Sequence, residues 1–210
     1  MSAIAPELNT PGARLSQPEP VTPIAPTIAN PGPLGLMAFA VTTFLLSMVN
    51  ANLVNKGVEP VVFGVALMVG GIAQLLAGMW AYRVGNMFSA TIHSLYGGFW
   101  LSYWALVQFY VKDIPVAQVG NAVGLYLISW ALVTAFYCIA TLKAPKSVFL
   151  AFLLLFLTFL ALGIGNAGAH TSIIHLGGFL GLATAAAAAY IGIAEVINEM
   201  WDRTVLPLGA

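Results

Sequence analysis

The sequence predicts an all-α integral membrane protein with six transmembrane helices. Hydrophobic residues make up 60% of its 210 residues, and charged residues make up only 7%. The charged residues are confined to the tails and to short connectors, and the stretch from Ser147 to Ala194 contains none. Because one membrane span needs about 20 residues, that stretch alone has room for two helices.

The chain divides into three parts. Residues 1–29 are rich in Pro, Ala, Thr and Ser and lack the basic and apolar regions of a signal peptide, so they predict a disordered, Pro-rich cytoplasmic tail. Residues 30–200 are predicted to form the six-helix transmembrane domain, and residues 201–210 a short cytoplasmic C-terminal tail. Charge, proline and polar clusters mark connectors between the spans 34–55, 60–82, 88–111, 119–142, 147–166 and 173–194.

The first span begins at a turn of unusual composition, Asn30-Pro31-Gly32-Pro33. Asn30 is predicted to cap the helix, and prolines in a first turn lose no helical hydrogen bond. The free N–H groups and the positive dipole end of such a helix favour an anion. Asn30 is therefore expected along the path of an anionic solute.

Uncharged polar residues form stripes on the first three spans. Span 1 carries Phe39, Thr43, Ser47 and Asn50 near one helical face, span 2 carries Gln74 between two glycines, and span 3 carries His93, Tyr96 and Trp100. A lining of hydroxyls, amides and aromatic rings suits a small solute that sheds its water, whereas a hydrated metal ion needs carboxylates. The same side chains can also serve only to hold membrane helices together.

Three titratable side chains are candidates for a proton relay: His93, His175 and Glu195. The alternatives are hydrogen bonds between helices for the two histidines and an interfacial cap for Glu195. Neither histidine has a second His or Cys at ligand spacing, so no metal site is expected. No Ser-His-acid set, carboxylate pair or phosphate-binding loop is evident, so we expect neither an enzyme nor a cofactor, and the zero net charge suggests no nucleic-acid partner.

Spans 3 and 6 contain related motifs. Ile92-His93 precedes Gly97-Gly98-Phe99 in span 3, and Ile174-His175 precedes Gly177-Gly178-Phe179 in span 6 after a shorter spacing. Spans that lie three apart cross in opposite directions, so the motifs indicate an inverted 3+3 repeat with a solute path between its halves. Glycine pairs are also common where membrane helices pack closely, which leaves the repeat open.

The distribution of basic residues predicts the orientation. One side of the membrane would carry Arg14, Arg83, Lys143, Lys146 and Arg203, and the other side Lys56 and Lys112. Because cytoplasmic segments carry the excess of Lys and Arg, both termini are predicted to be cytoplasmic. The chain is expected to be a multi-pass protein of the cell (plasma) membrane.

The segment from Asn30 to Leu36 resembles the Asn-Pro-Ala-Pro-Leu-Gly-Leu signature of the acetate uptake transporter family, which includes bacterial succinate-acetate permeases and fungal acetate transporters. Gly32 departs from the signature, where the family usually has Ala. Further blocks are similar to the family in the same order: Gly70-Gly71-Ile72-Ala73-Gln74, Tyr96-Gly97-Gly98-Phe99-Trp100, Thr141-Leu142-Lys143, Gly165-Asn166, Ile173-Ile174-His175, Glu195-Val196-Ile197-Asn198-Glu199 and Arg203-Thr204-Val205-Leu206-Pro207.

The resemblance implies a six-helix protomer that assembles as a homo-hexamer in the lipid bilayer, with one pore per protomer for acetate and sometimes succinate. It also implies a hydrophobic constriction at Phe39, Tyr96 and Leu155, of which Leu155 is placed by the resemblance alone. The Gly165-Asn166 block adds Asn166 to the residues expected along the path. The Tyr96 hydroxyl is expected to bond the substrate carboxylate.

The expected function is membrane transport of acetate, and of succinate or other small carboxylates, through a narrow hydrophobic pore and linked to protons. A carboxyl group with a pKa near 4 is ionised at neutral pH, and an anion is costly to move through an apolar neck. Helix N-termini at Asn30 and near Ser172 are expected donors to the anion. Two alternatives stay open: a channel for a small neutral solute such as urea or ammonia, and a membrane scaffold or sensor whose tail binds a partner.

Overall fold

The computed structural model of the protein describes residues 28–209, within which every regular element is a helix. The tail predicted for residues 1–29 lies outside the described residues except for its last two. Six long helices make up the fold. They are α1, Gly32–Asn50; α2, the consecutive segments Pro60–Val65, Ala66–Ala73 and Gln74–Arg83; α3, Met87–Ala105 continued by Leu106–Tyr110; α4, Val119–Ala140; α5, Lys146–Ala167; and α6, Thr171–Met200.

These six helices correspond to the six predicted spans. Five of them lie in segments long and apolar enough to cross a membrane: Gly32–Asn50, Lys56–Arg83, Val116–Lys143, Lys146–Ala167 and Thr171–Met200. Helix α3 is less apolar because His93 and several tyrosines and tryptophans interrupt it. It also contributes half of the buried aromatic residues of the core, and two of its polar residues, Ser89 and His93, are buried inside the bundle.

The first predicted span, 34–55, is too long at its C-terminal end. Helix α1 stops at Asn50, and Asn52 adopts a φ of 56°, a left-handed conformation that asparagine tolerates better than most residues. Asn55 then begins a separate short turn, where its side-chain oxygen accepts the backbone N–H of Gly57 at 2.8 Å. The last predicted span, 173–194, is too short, because α6 runs on to Met200.

Two segments of π-helix were not predicted from the sequence, Ala66–Ala73 in α2 and Leu106–Tyr110 in α3. The first contains Gly70, where a Cβ atom would collide with the side chains of Thr42 and Trp100. Glycine therefore lets α1 and α3 approach the widened turn of α2. Such π-bulges are frequent at functional sites, and this one lies beside the indole of Trp100.

The helices pack in an order in which α1 lies against α6, α6 against α5, α5 against α4, and α2 against α3 and α1. Glycines make the contact between α1 and α6 very close. A Cβ at Gly178 would collide with the backbone of Asn50 and Ala51, and one at Gly181 would collide with Ser47. Aromatic rings fill the centre of the bundle: Phe99, Trp100, Tyr126, Trp130, Phe152 and Phe159.

Both described termini lie at the same end of the bundle, which we call the terminal end. The amide of Asn30 donates to Glu195 Oε2 at 2.8 Å, which joins the start of α1 to the last turns of α6. The C-terminal segment returns to the start of α5, where the backbone N–H of Lys146 donates to the carbonyl of Gly209 at 2.7 Å. The opposite end, which we call the distal end, is formed by the connectors 51–59, 111–118 and 168–170.

Candidate transport path

Two cavities lie in line inside the bundle. The outer vestibule has a volume of about 570 Å³ and reaches the connectors of the distal end, including Asn52, Lys56 and Glu59. The inner chamber, on the terminal side, has a volume of about 40 Å³. Phe39 and Leu155 line both cavities and therefore stand between them.

The three residues expected to make a constriction lie where the two cavities meet, a region that we call the neck. Phe39 on α1, Tyr96 on α3 and Leu155 on α5 are all buried, and Tyr96 faces the inner chamber. The rings of Phe39 and Tyr96 meet edge to face, with their centroids 5.9 Å apart. The structure thus brings together three bulky side chains from three helices where the two cavities meet.

The hydroxyl of Tyr96 does not point along this path, contrary to the expectation that it bonds the substrate. It lies 2.9 Å from Thr134 Oγ1 on α4. Thr134 donates its single hydroxyl proton to the carbonyl of Trp130 at 2.7 Å, so the oxygen of Thr134 accepts the proton of Tyr96. Tyr96 therefore presents its ring to the neck, and Thr134, which the sequence did not single out, fixes that ring.

The outer vestibule collects most of the predicted lining residues. They are Thr43, Ser47, Asn50, Trp100 and Asn166, and the proton-relay candidate His175 also lines this cavity. Among the residues that the structure describes, Thr43 Oγ1 and Trp100 Nε1 are buried without a hydrogen-bond partner. Both groups can donate a proton, and both belong to residues that line the vestibule beside Phe39, at its floor.

The remaining polar groups of the vestibule are placed differently. Asn166 donates its amide to the carbonyl of Leu162 at 2.8 Å, which leaves mainly its side-chain carbonyl for a solute. His175 is half-buried in the wall, far from His93 in the chamber. Near the mouth, Lys56 is exposed, and Tyr103 donates to Glu59 Oε1 at 3.4 Å. From the sequence, Lys56 contributed only to the predicted orientation of the chain in the membrane. The charged residues at the mouth of the vestibule were not predicted.

The inner chamber holds the other two predicted polar residues, Gln74 and His93. Each is 2% exposed, and Gln74 Oε1 and His93 Nδ1 have no hydrogen-bond partner among the described residues. The ring of His93 lies directly on the backbone of Gly35, where a Cβ atom would overlap it. Gly35 belongs to the signature segment, so the structure gives that glycine a physical role in seating the imidazole.

Asn30 and Glu195 line neither cavity, although both were expected near the path. Asn30 Oδ1 accepts the backbone N–H of Gly32 at 3.0 Å, which satisfies one free donor of α1, but the N-cap position itself is Pro31. The anion beside this helix start is the chain's own carboxylate, because Asn30 also donates to Glu195. The pair therefore fastens α1 to α6. Within residues 28–209 no three His, Cys, Asp or Glu side chains come together.

Comparison with known proteins gives consistent matches over most of the chain. A sequence profile of the GPR1/FUN34/yaaH family matches residues 13–208. The succinate-acetate/proton symporter SatP of Escherichia coli K12 is 38% identical over 182 residues, which cover 87% of this chain and 96% of that protein. The ammonia transport outward protein 2 of Saccharomyces cerevisiae is 42% identical over 179 residues, 81% of this chain and 64% of that protein.

A solved structure of the bacterial acetate channel SatP has the same fold. It matches with a TM-score of 0.81 and 37% sequence identity, over 87% of this chain and 99% of that chain. Together with the five segments of membrane-spanning length and composition, this likeness shows that the chain is a multi-pass membrane protein.

Proposed function

The chain belongs to the GPR1/FUN34/yaaH family, and we propose from this membership that it transports acetate, and also succinate or other small carboxylates, across the membrane. The observation that carries the proposal is the neck at Phe39, Tyr96 and Leu155, which stands between a wide polar vestibule and a small chamber. The names of the bacterial relatives, a succinate-acetate/proton symporter and an acetate channel, support the same substrate class.

The vestibule floor supplies the first binding step. A carboxylate that descends from the distal end reaches Trp100 and Thr43 beside Phe39, and the indole N–H and the hydroxyl of these residues have no partner among the described residues. Hydrogen bonds to a charged group contribute about 1.5 to 3 kcal/mol each, so the two donors offset part of the lost hydration. The methyl group of acetate then faces the apolar surfaces of Phe39 and Leu155.

Protons are linked to the passage because the neck and the chamber carry no fixed charge. No Lys, Arg, Asp or Glu lines the inner chamber. An ionised carboxylate would therefore leave its two donors for a region with nothing to balance its charge, whereas the protonated acid is neutral. We accordingly expect acetate and a proton to cross together, and uptake to rise as the pH on the distal side falls.

Acetate flux in proteoliposomes tests the function directly. We expect the wild-type protein to move labelled acetate and to acidify the receiving side. In Leu155→Ala and Phe39→Ala the neck is wider, so lactate uptake should rise relative to acetate. Trp100→Phe keeps an aromatic ring but loses the N–H donor and should weaken acetate affinity about ten-fold. Acetate flux that stays flat between about pH 5 and 8 without proton movement would contradict the proton linkage.

The neck variants also distinguish a filter from a packing core. A core residue replaced by Ala leaves a cavity that costs about 2 to 5 kcal/mol, so folded protein is lost while the acetate-to-lactate ratio of the remainder stays unchanged. A filter residue keeps the folded protein and changes that ratio. Loss of folded protein with an unchanged acetate-to-lactate ratio in both Phe39→Ala and Leu155→Ala would contradict the proposal that these residues form the neck.

A second candidate function is a channel for ammonia, because the yeast relative is named an ammonia transport outward protein. A small neutral solute would cross the uncharged chamber without a proton. The same proteoliposomes separate the two functions when they are loaded with labelled methylamine and a pH indicator. Flux of the amine with no acetate flux would favour this candidate.

We also propose that both termini are cytoplasmic in the cell membrane, so that the vestibule opens to the outside. The terminal end then carries Arg83, Lys143, Lys146 and Arg203, in agreement with the excess of basic residues expected inside. In a Cys138→Ala background, a cysteine at Ala169 should react with an impermeant reagent on intact cells, and one in the tail before Asn30 should not. The reverse labelling would invert the orientation.

The homo-hexamer implied by the resemblance is part of the proposal as well. The outer surfaces of α2 and α4 carry exposed large side chains, among them Met68, Met79, Leu125 and Phe136, which either lipid or neighbouring copies can cover. Native mass spectrometry of the detergent-solubilised protein tests this point. A mass of six chains agrees with the hexamer, and a monomer at the same concentration does not.

A further inference from the structure

We propose that residues 205–209, which we call the strap, fix the start of α5 and thereby the position of Leu155 in the neck. Asn198 on α6 is the positioning residue that keeps the strap docked. The inference rests on the proposed transport of carboxylates, and it gives a role in substrate selection to the segment that follows α6. Hydrogen bonds at both ends of the strap carry it.

Asn198 holds the first part of the strap with both halves of its side-chain amide. Its Oδ1 accepts the backbone N–H groups of Val205 and Leu206 at 2.7 and 2.9 Å. Its Nδ2 donates to the carbonyl of Leu206 at 2.9 Å. The hydroxyl of Tyr190, also on α6, donates to the carbonyl of Pro207 at 2.6 Å. Two side chains of α6 therefore anchor the strap along its first half.

The second part of the strap supplies the acceptors that the start of α5 lacks. The N-cap position of α5 is Pro145, whose side chain makes no capping hydrogen bond. The backbone N–H of Lys146 donates to the carbonyl of Gly209 at 2.7 Å. The backbone N–H and the Oγ of Ser147 both donate to the carbonyl of Leu208, at 3.2 and 2.7 Å. Because the first N–H groups of a helix have no partner within it, the strap acts as the cap of α5.

Gly209 adopts the backbone conformation that this contact requires. Its φ is 78°, in the left-handed region that favours glycine. A Cβ atom at this position would lie 3.3 Å from the Cβ of Lys146. A larger residue at position 209 should therefore weaken the cap of α5 without touching α6.

The strap is attached beside the part of α5 that lines the inner chamber. Ala151, Phe152 and Leu155 all line this cavity. Ala151 follows Ser147 by four residues, about one helical turn. At the distal end the connector 168–170 joins α5 to α6 covalently, and at the terminal end the strap joins the same two helices by hydrogen bonds. Release of the strap should therefore loosen the terminal half of α5 together with the neck side chain that it carries.

Hydrogen exchange of the solubilised protein tests the docking of the strap. Asn198→Leu keeps the size of the side chain and loses its hydrogen bonds to the strap. The amides of Lys146 and Ser147 should then exchange at least about five-fold faster, the change expected from the loss of one hydrogen bond. Asn121→Leu is the matched control on α4. The side-chain amide of Asn121 donates to the nearby Gln118 Oε1 at 2.9 Å, so its loss should leave exchange at the start of α5 unchanged.

The ratio of lactate to acetate uptake in proteoliposomes tests the effect on the neck. Asn198→Leu should raise this ratio about three-fold, less than Leu155→Ala does, because the neck side chain is displaced and not removed. Gly209→Val alters the opposite end of the strap and should raise the ratio as well. Addition of Asn198→Leu to Leu155→Ala should give no further rise, because both changes act on the same side chain. Asn121→Leu should keep the wild-type ratio.

Three results would overturn the inference. The first is unchanged amide exchange in Asn198→Leu. The second is faster exchange with an unchanged uptake ratio in Asn198→Leu and Gly209→Val, which would make the strap purely structural. The third is a further rise in the double variant, because the effect would then bypass Leu155.

Two other outcomes remain decisive. If Asn198→Leu gave no folded protein, Gly209→Val would decide by the same two measurements, because position 209 lies outside every helix. Failure of the proposed function would appear as absent acetate flux in the wild type. Hydrogen exchange at Lys146 and Ser147 would still support or overturn the docking of the strap.

Discussion

The related motifs of α3 and α6 contain the same types of residue but lie in different surroundings. His93 is buried in the wall of the inner chamber, whereas His175 is half-buried in the wall of the vestibule. Phe99 is 3% exposed within the aromatic core, while Phe179 is 51% exposed on the outside of the bundle. The two helices thus contribute to the path at opposite ends, as the two halves of an inverted repeat would, but with different faces.

The spacing within each motif explains the difference. The step from histidine to the second glycine is two residues shorter in α6 than in α3. Because each helical residue turns the side chain by about 100°, two residues rotate the glycine pair by about 200° relative to the histidine. In α6 this rotation turns Gly178 toward the end of α1, and in α3 it leaves Gly98 facing open space.

The two helices consequently meet their partners in different ways. Helix α6 touches α1 backbone to backbone, through Gly178. Helix α3 meets α4 through rings, with Tyr96 and Phe99 lying 6.0 and 5.2 Å from the indole of Trp130. A close glycine contact suits two helices that stay packed against each other. Bulky aromatic rings, in contrast, can surround a path and determine its width.

The largest expected effect comes from a comparison of Phe99→Ala with Phe179→Ala. Phe99 contacts five other aromatic rings, among them those of Trp100 and Phe159. Its removal should lower the free energy of unfolding by about 3 to 5 kcal/mol, because the cavity left in the core cannot collapse fully. Phe179→Ala removes a ring from the outer surface and should change that free energy by less than about 0.5 kcal/mol.

Thermal and denaturant unfolding of the solubilised protein provide the measurement. Equal destabilisation by the two changes would show that Phe179 is also covered, for instance by a neighbouring copy, and the comparison would then hold only for the single chain. Mass measurements on Phe179→Ala distinguish that case, since the assembly would come apart while the protomer stays folded.

The second test compares the same substitution at the second glycine of each motif. Gly178→Ala places a methyl group against the backbone of Ala51, which cannot move aside as a side chain can. We expect a loss of about 1 to 3 kcal/mol in the free energy of unfolding. Gly98→Ala meets nothing within 4 Å and should stabilise its helix by about 0.5 to 1 kcal/mol. The two substitutions should change the free energy of unfolding in opposite directions. Two losses of similar size would contradict the placement of Gly178 against α1 and of Gly98 in open space.

Much of the fold was predictable because its signals are local. Apolar runs and their polar connectors predicted all six helices, and steps of three and four residues placed Phe39, Thr43 and Ser47 on one face of α1. The structure keeps those three residues together along the vestibule. Leu155 has no such signal, since it lies in a run of leucines and phenylalanines, and only the family resemblance placed it.

The rest depends on contacts between distant parts of the chain. Whether the Tyr96 hydroxyl points into the path or toward Thr134 is decided by the rotation of α4, which no spacing within α3 reveals. The bond between Asn30 and Glu195 joins residues 165 positions apart, so a helix start that looked open to a substrate anion already has a carboxylate beside it. The π segment Ala66–Ala73 likewise involves packing against another helix, because the indole of Trp100 occupies the space beside Gly70.

The smallest expected effect concerns the histidine of α6. His175→Phe should change acetate uptake less than two-fold at any pH between about 5 and 8, whereas His93→Phe should lower it several-fold. The physical reason is that the two cavities differ in how much water they can hold. In a vestibule of about 570 Å³, solvent can replace any hydrogen bond that His175 makes with a passing solute, and in a chamber of about 40 Å³ little room is left for such a replacement. Uptake measured across that pH range in paired proteoliposome preparations gives the answer. If His175→Phe instead removed the rise in uptake at low pH, protons would enter through the vestibule wall, and the two histidines would act as one relay across the neck rather than as separate groups in unlike surroundings.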